Sequence, residues 1–468
     1  MKKLIPQSIK NIYHLFQAIL ANFMYGWPSK NIKIIGVTGT NGKTTTVQMI
    51  TKILEESGAR VAMASTINFK LDKKEWVNAT KFTTLSSFQV QKFIADAVKA
   101  NCEYLVLETS SHSLDQFRTW GIYYDTAVIT NVTREHLDYH KTIEEYRQAK
   151  LKLFKNAKNA VVNLDMEKAE EFLNCGAENI FGYGTEITNS KLQIPNKIQN
   201  SKLKNIIAKN IKLEIDHSLY QILDTKYKIQ MLGLFNVENA LAASCVGFVY
   251  GISNDIIKNA LEKIQGVPGR MEKVPNDRGI EIIIDYAVTP DSLEKVYELI
   301  SELWTSNVHN GHSMSKGRII SVFGSCGERD RGKRPIMGEI VSRFADYIIV
   351  TNEDPYGENP VDIINEVFSG VVGFNVSGEF PNFQFPISNF QINSNDQNSK
   401  NKTKFTEGIN CWRILDRREA IKKALQLAKP GDIFVITGKG AEEVMAIGAQ
   451  RIPWNEKQVI LEELENLR

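Results

Sequence analysis

From residue 32 the chain alternates between short apolar runs and segments with helical spacing. Ile32–Ile35 is a β-branched run that feeds a glycine-rich loop. Val47, Ile50, Ile53 and Leu54 then recur on one face of a predicted helix. Tyr104–Leu107, Ala127–Ile129 and Val161–Leu164 read as buried strands. Strands alternating with helices predict an α/β fold, a parallel sheet covered on both faces. Residues 186–232 carry short alternating runs and predict hairpins at the edge of this first domain. An alanine-rich helix is expected from about Asn236 to Tyr250.

A second α/β pattern runs through Glu281–Ile284, Ile319–Val322, Tyr347–Val350 and Ile433–Ile436. The predicted domains are 1–31, a helical extension; 32–266, a central domain; and 267–468, a C-terminal domain. Residues 305–317 are polar and predict a loop, and 376–408 read as a mobile polar insertion. Ile12, Leu15, Phe16, Ile19, Leu20 and Phe23 form a helical apolar stripe. Its first reading is a helix packed on the next domain or a partner chain; its second is a basic amphipathic membrane anchor.

Composition narrows the class of partner. The 468 residues carry a net charge of +3, too small to suggest a nucleic-acid-binding surface. Five scattered cysteines without a CxxC fit reduced thiols in a cytosol rather than disulfides or a zinc site. No apolar run reaches membrane-spanning length.

The chemistry starts at Gly36–Thr44, a glycine loop that leaves a strand and opens a helix. Such loops let backbone amides and a helix N-terminus hold phosphate. Lys43 can reach terminal phosphates, and the Thr44 hydroxyl is placed for Mg²⁺. The strict phosphate-loop pattern would put glycine where this chain has Val37. Glu108 closes the Tyr104–Leu107 strand, where it can complete a Mg²⁺ shell or simply cap a helix. His112, His136 and His140 follow two successive strands; His136 could bind metal, meet a developing charge, or lie on the surface.

These phrases, with Glu108–His112, Thr130–His140, Tyr146–Lys150, Gly233–Asn239, Pro268–Glu272, Asp285–Asp291, Gly327–Pro335 and Gly438–Glu442, resemble those of the Mur ligases over residues 32–455. The resemblance is to members that add the third residue of the peptidoglycan stem peptide. It implies a central ATPase-like domain, a Rossmann-like C-terminal domain, and ATP-dependent amide ligation through an acyl phosphate, with ATP and two Mg²⁺. By resemblance, Gly39, Thr40, Asn41, Gly42, Lys43, Thr44 and Thr45 hold the phosphates. Thr44 and Glu108 hold one Mg²⁺, His136 serves a second, and Lys150 matches a lysine the family carbamylates. Asn236 and Asn239 match adenine contacts, and Arg270 and Asp285 match other nucleotide contacts.

Thr83, Thr84, Ser110, Gln116 and Arg118 fall on positions for the muramoyl-peptide acceptor, with Leu85 where a proline is usual. Arg329, Gly438 and Glu442 fall on positions for the free amino acid, Arg329 suiting its α-carboxylate. Three departures shape the expectation. Only 35 residues precede the phosphate loop, too few for the family's uridine-binding domain, which leaves a UDP-linked acceptor open. Glu353-Asp354-Pro355-Tyr356 stands where diaminopimelate-adding members carry Asp-Asn-Pro-Arg. The added residue is therefore expected not to be meso-diaminopimelate; lysine or another diamino acid is open, and Glu353 or Asp354 could face its side-chain amine. Val288 and Ala441 replace usual histidines. The alternatives are a folylpolyglutamate-type or lipid-linked Mur-like ligase, and an ATP-binding regulator without ligase chemistry.

Overall fold

The computed structural model describes residues 6–467 apart from 79, 81, 190–202, 215, 310–316 and 373–403. Most of the predicted insertion at 376–408 therefore lies outside the described residues. Two compact units are present, residues 1–271 and 272–468.

The first unit is built on an eleven-stranded sheet ordered β11-β10-β9-β8-β7-β6-β1-β5-β2-β3-β4. Its strands are β1 (Lys33–Thr38), β2 (Val61–Ala64), β3 (Asn68–Leu71), β4 (Lys74–Val77), β5 (Tyr104–Glu108) and β6 (Tyr124–Ile129). They continue with β7 (Asn159–Asn163), β8 (Asn179–Thr185), β9 (Leu203–Leu213), β10 (Ser218–Ile222) and β11 (Thr225–Ile229). The centre is parallel, and β1 pairs with both β5 and β6. The predicted edge hairpins are present: β9, β10 and β11 are antiparallel, as are β2, β3 and β4 at the other edge.

Side chains of β1 alternate between two cores, one on each face of the sheet. Ile35 and Val37 pack with Val47, Ile50, Val237 and Leu241, from the helices Lys43–Glu56 and Leu234–Val249. Ile34 packs with Val90, Ile94 and Phe154 on the other face. Burial of both faces explains why these strands read as unbroken apolar runs. It also accounts for Val37: the residue is a sheet position paired with Glu108 and Val128, so the phosphate loop proper starts after it.

The helix Gln7–Tyr25 does pack on the next domain, but not through its apolar stripe. It packs on the first unit through Ala18, Ala21 and Asn22, all fully buried. Asn22 Nδ2 donates to the carbonyls of Ala18 and Trp120 at 2.8 and 2.9 Å. The apolar stripe faces away from the domain. Small residues let the two backbones approach closely, which the bulky stripe would prevent.

The second unit holds a six-stranded sheet ordered β12-β13-β17-β14-β15-β16. These strands are β12 (Glu272–Lys273), β13 (Glu281–Asp285), β14 (Ile319–Phe323), β15 (Tyr347–Thr351), β16 (Cys411–Ile414) and β17 (Ile433–Thr437). All pairings are parallel except β12 with β13. A two-stranded ribbon, β18 (Val444–Ile447) with β19 (Gln450–Pro453), follows β17. The predicted loop at 305–317 is corrected in part, because the helix Pro290–His309 continues through residues 305–309. Polarity marked that stretch as loop, although nothing in it breaks a helix before Gly311.

Candidate functional site

In open α/β sheets, ligands lie beyond the carboxyl ends of strands where their succession changes direction. Here that point is β1, flanked by β5 and β6. The chain leaves β1 through Gly39, Thr40, Asn41 and Gly42 and enters its helix at Lys43. Gly39 (φ 154°) and Gly42 (φ 81°) have no room for a side chain. A Cβ on the first would lie 1.8 Å from Thr130 Oγ1, and on the second 2.3 Å from Asn239 Oδ1. The loop is fastened to the end of β6. Asn41 N–H donates to Asn131 Oδ1 at 2.9 Å, and Thr130 Oγ1 donates to the Asn41 carbonyl at 2.6 Å. Lys43 Nζ donates to the Thr40 carbonyl at 2.7 Å, folded over its own loop. Thr45 is buried in the first turn of the helix.

Two chain segments converge on the carboxylate of Glu108, which is 1 % exposed. Thr44 Oγ1 donates to its Oε2 at 3.1 Å; Thr66 donates through N–H at 2.8 Å and through Oγ1 at 2.9 Å. Arg270 Nη2 donates to Thr44 Oγ1 at 3.3 Å. Thr66 orients the carboxylate, and no sequence signal marked it.

A second cluster forms around the Tyr146 ring. Lys150 Nζ lies 4.2 Å from its centroid and donates to the Gly39 carbonyl at 2.8 Å. The His136 ring is 6.0 Å from Tyr146 and 4.6 Å from His112. His136 has a left-handed backbone (φ 56°), and its Nε2 lies 3.6 Å from Glu135. Burial holds the Lys150 amine well below the usual lysine range; Lys43 adds to the shift and Glu135 opposes it. Burial also lowers His140 to about 4. The structure thus gathers Lys43, Thr44, Glu108, His136 and Lys150 around one loop. Tyr146 and Lys150 are one helical turn apart, the only sequence sign of that pairing.

The expected adenine contacts, Asn236 and Asn239, are buried on the helix Leu234–Val249. Thr46 Oγ1 donates to Asn239 Oδ1 at 3.3 Å, tying that helix to the phosphate loop. The acceptor positions also gather. Thr84 Oγ1 donates to the Glu108 carbonyl at 3.1 Å and accepts from Ser110 N–H at 2.9 Å. Arg118 Nη1 donates to the Thr84 carbonyl at 2.8 Å, while its Nε is buried without a partner. Thr83 Oγ1 accepts from Thr66 at 3.3 Å, and Gln116 ends the short helix Ser111–Asp115.

In the second unit, Asp285, Glu353, Asp354 and Gly438 lie at or just past the carboxyl ends of β13, β15 and β17. Gly438 N–H donates to the Asp285 carbonyl at 3.2 Å. Lys439, absent from the expected set, organises this end. Its Nζ donates to both Asp354 oxygens at 3.0 Å and to Glu442 at 2.6 Å. Glu442 also accepts from the Tyr286 hydroxyl at 3.2 Å. Asp354 is thereby held by Lys439, and its Oδ1 accepts from Ala446 N–H at 2.6 Å. Glu353 accepts from the Cys326 thiol at 2.8 Å and leaves Oε2 buried and unpartnered. Burial raises the Glu353 carboxyl above the usual range. A side chain at residue 438 would meet that oxygen at 2.8 Å, so the glycine (φ 112°) keeps its approach clear. Arg329 lies in the exposed loop after β14.

A phosphate loop with a buried carboxylate at a parallel-sheet switch point defines a nucleotide-dependent enzyme of the phosphoryl-transfer class. Residues 37–247 match the Mur ligase middle domain, and residues 269–383 match the Mur ligase, glutamate ligase domain. The chain belongs to the Mur ligase family, whose members are ATP-dependent, ADP-forming amide ligases that use Mg²⁺. It is 36 % identical over 455 residues to UDP-N-acetylmuramoyl-L-alanyl-D-glutamate–2,6-diaminopimelate ligase 1 of Clostridium acetobutylicum, covering 96 % of this chain and 81 % of that one. It is 33 % identical to the UDP-N-acetylmuramyl-tripeptide synthetase of Roseiflexus sp. RS-1, covering 94 % and 80 %. A solved diaminopimelate ligase superposes with TM-score 0.54 at 28 % identity, over 93 % of this chain and 79 % of that one. The ADP complex of Mycobacterium tuberculosis folylpolyglutamate synthase shares the fold alone: TM-score 0.64, 15 % identity, 93 % and 92 % coverage. No helix among the described residues is long and apolar enough to cross a membrane.

Proposed function

We propose that this chain joins a free amino acid other than meso-diaminopimelate to a muramoyl-peptide acceptor in peptidoglycan synthesis. In the proposed reaction an acceptor carboxylate oxygen attacks the γ-phosphorus of ATP, and the bond to ADP breaks. The amine nitrogen then attacks the acyl carbon of the acyl phosphate; phosphate leaves and the amine sheds a proton. The observation that carries this reading is the buried Glu108 carboxylate held against Thr44 at the phosphate loop.

Hard oxygen donors of this kind suit Mg²⁺, which takes few protein ligands beside phosphate oxygens. Thr44 and Glu108 would hold it, and when bound it neutralises phosphate charge. Lys43, released from the Thr40 carbonyl, is in reach of the terminal phosphates. Lys150 suits carbamylation: burial pushes its amine toward the neutral form, which can attack carbon dioxide and lose a proton, converting the residue into an anion beside His136. Thr83, Thr84, Ser110, Gln116 and Arg118 would hold the acceptor. Arg329, Gly438, Glu442 and Glu353 would hold the amino acid. Asp354, already engaged by Lys439, would act by keeping Glu442 in place.

The exclusion of meso-diaminopimelate rests on Tyr356, which stands where an arginine would grip the distal carboxylate. One observation favours a second reading: the Arg451 guanidinium lies 5.6 Å over the Tyr356 ring and could serve a distal carboxylate. The test is substrate-dependent ADP release with UDP-linked and lipid-linked muramoyl dipeptides, each offered L-lysine, ornithine and meso-diaminopimelate, and with a folate acceptor offered glutamate. Turnover with L-lysine or ornithine is expected. Turnover confined to meso-diaminopimelate supports the Arg451 reading, and turnover only with folate overturns both.

A further inference from the structure

The helix Gln7–Tyr25 has two faces of different kinds. One is fastened to the first unit through Ala18, Ala21 and Asn22, with Asn11 Nδ2 reaching the Asp115 carbonyl at 3.4 Å. The other presents eight large apolar side chains to solvent: Ile9, Ile12, Tyr13, Phe16, Ile19, Leu20, Phe23 and Met24, each 42–79 % exposed. A continuous apolar face of this size is uncommon on a soluble surface and marks a contact.

Charge and aromatic placement decide what it contacts. Residues 1–31 contain Lys2, Lys3, Lys10 and Lys30 and not one Asp or Glu. Beyond the helix, Trp27 lies 5.9 Å from Trp120, and Lys30 Nζ sits 5.7 Å over Trp27 and 5.6 Å over the half-exposed Tyr123. Tryptophan, tyrosine and lysine beside an apolar helix face are the residue types that settle at a lipid headgroup boundary.

We propose that this face seats the protein on an anionic bilayer surface, with the helix lying in the interface plane. Phe16 and Phe23 enter the acyl boundary, and Lys10 and Lys30 meet lipid phosphates. The attachment is peripheral and reversible, because one helix face is a weak anchor.

The test is co-sedimentation of the full chain with phosphatidylglycerol vesicles and with phosphatidylcholine vesicles, alongside sedimentation equilibrium of the free protein. The double substitution Phe16→Glu, Phe23→Glu removes exposed side chains only, so ADP release without vesicles and the melting temperature should not change. Wild type should bind phosphatidylglycerol at least ~10-fold better than phosphatidylcholine, and the double variant should lose at least ~10-fold of that binding. Trp27 and Trp120 emission should shift to the blue on phosphatidylglycerol only. The proposal is overturned if wild type ignores both vesicles, or if the double variant binds as well as wild type. A dimer that the double variant abolishes, without vesicle binding, assigns the face to a second copy and overturns it too.

Discussion

Lys150 in the first unit and Lys439 in the second are equally withdrawn from water, at 1 % and 0 % exposure, yet their surroundings differ in kind. Lys439 donates to Asp354, Glu442 and the Val444 carbonyl, so its charge is matched where it lies. Lys150 donates to one backbone carbonyl and rests on an aromatic face. A buried ammonium matched by carboxylates is a structural tie; one left with a carbonyl is pushed toward the neutral amine. The contrast extends across the units. The second also buries Arg417 against Glu456 and Arg334 against Glu358 and Glu366. The first builds its phosphate site from hydroxyls, amides and glycine backbone, the components that accept an anionic ligand.

Replacing Lys150 by Met separates chemistry from stability most strongly. Ligation, read as ADP release, should fall by about three orders of magnitude, the scale of losing preorganised charge at a reacting phosphate. The melting temperature should hold or rise, since a buried amine gives way to an apolar chain of similar length. Activity within tenfold of wild type would remove Lys150 from the mechanism. Replacing Lys439 by Met should do the reverse. Asp354 and Glu442 lose their shared cation, and stability should drop by about 3 kcal/mol in urea unfolding. A loss under about 1 kcal/mol would mean that water reaches these carboxylates and that the contrast between the two lysines is false.

Much of the first unit was legible because its causes are local. Period and glycine placement marked β1, the phosphate loop and its helix, and strand ends marked Glu108 and His136; Lys150 came only from the resemblance to the Mur ligases. What stayed hidden depends on contacts between distant segments. Thr66 orients Glu108 from another strand, and Lys439 reads as one more lysine until Asp354 arrives beside it. The N-terminal helix shows the limit of periodicity: the stripe was visible, but which face docks was settled by Ala18, Ala21 and Asn22. Likewise, residues 305–309 were polar enough for a loop yet continue a helix whose other side is apolar.

Acidification probes the histidine side of the first unit. His140, buried near Ser111 Oγ at 3.0 Å, is lowered from 6.5 to about 4, chiefly by burial; Asp115 opposes the shift, while Lys150 and Lys152 add to it. Its folded pKa lies below its unfolded one, so the unfolded chain takes up the proton first as pH falls. Stability from this group is intact above 6.5, declines from there to about 4, and is fully lost below. Against a His140→Gln variant, wild type should lose about 2 kcal/mol more across that window in urea unfolding. Parallel curves would place the imidazole in water.

The smallest effect concerns Arg451, a cation of β19 outside the second unit's buried ion pairs. It is exposed, and stacking on Tyr356 at an exposed site is worth about 0.5–1 kcal/mol. If the amino-acid site ends at Glu353 and Glu442, Arg451→Ala should shift the KM for L-lysine by no more than about twofold, since an exposed cation–π contact supplies little. Meso-diaminopimelate should then be a poor substrate for both proteins. If wild type turns over meso-diaminopimelate and the variant does not, Arg451 performs the distal grip that Tyr356 cannot. The added residue would then be set by a cation on the β18–β19 ribbon rather than by the buried carboxylates beneath it.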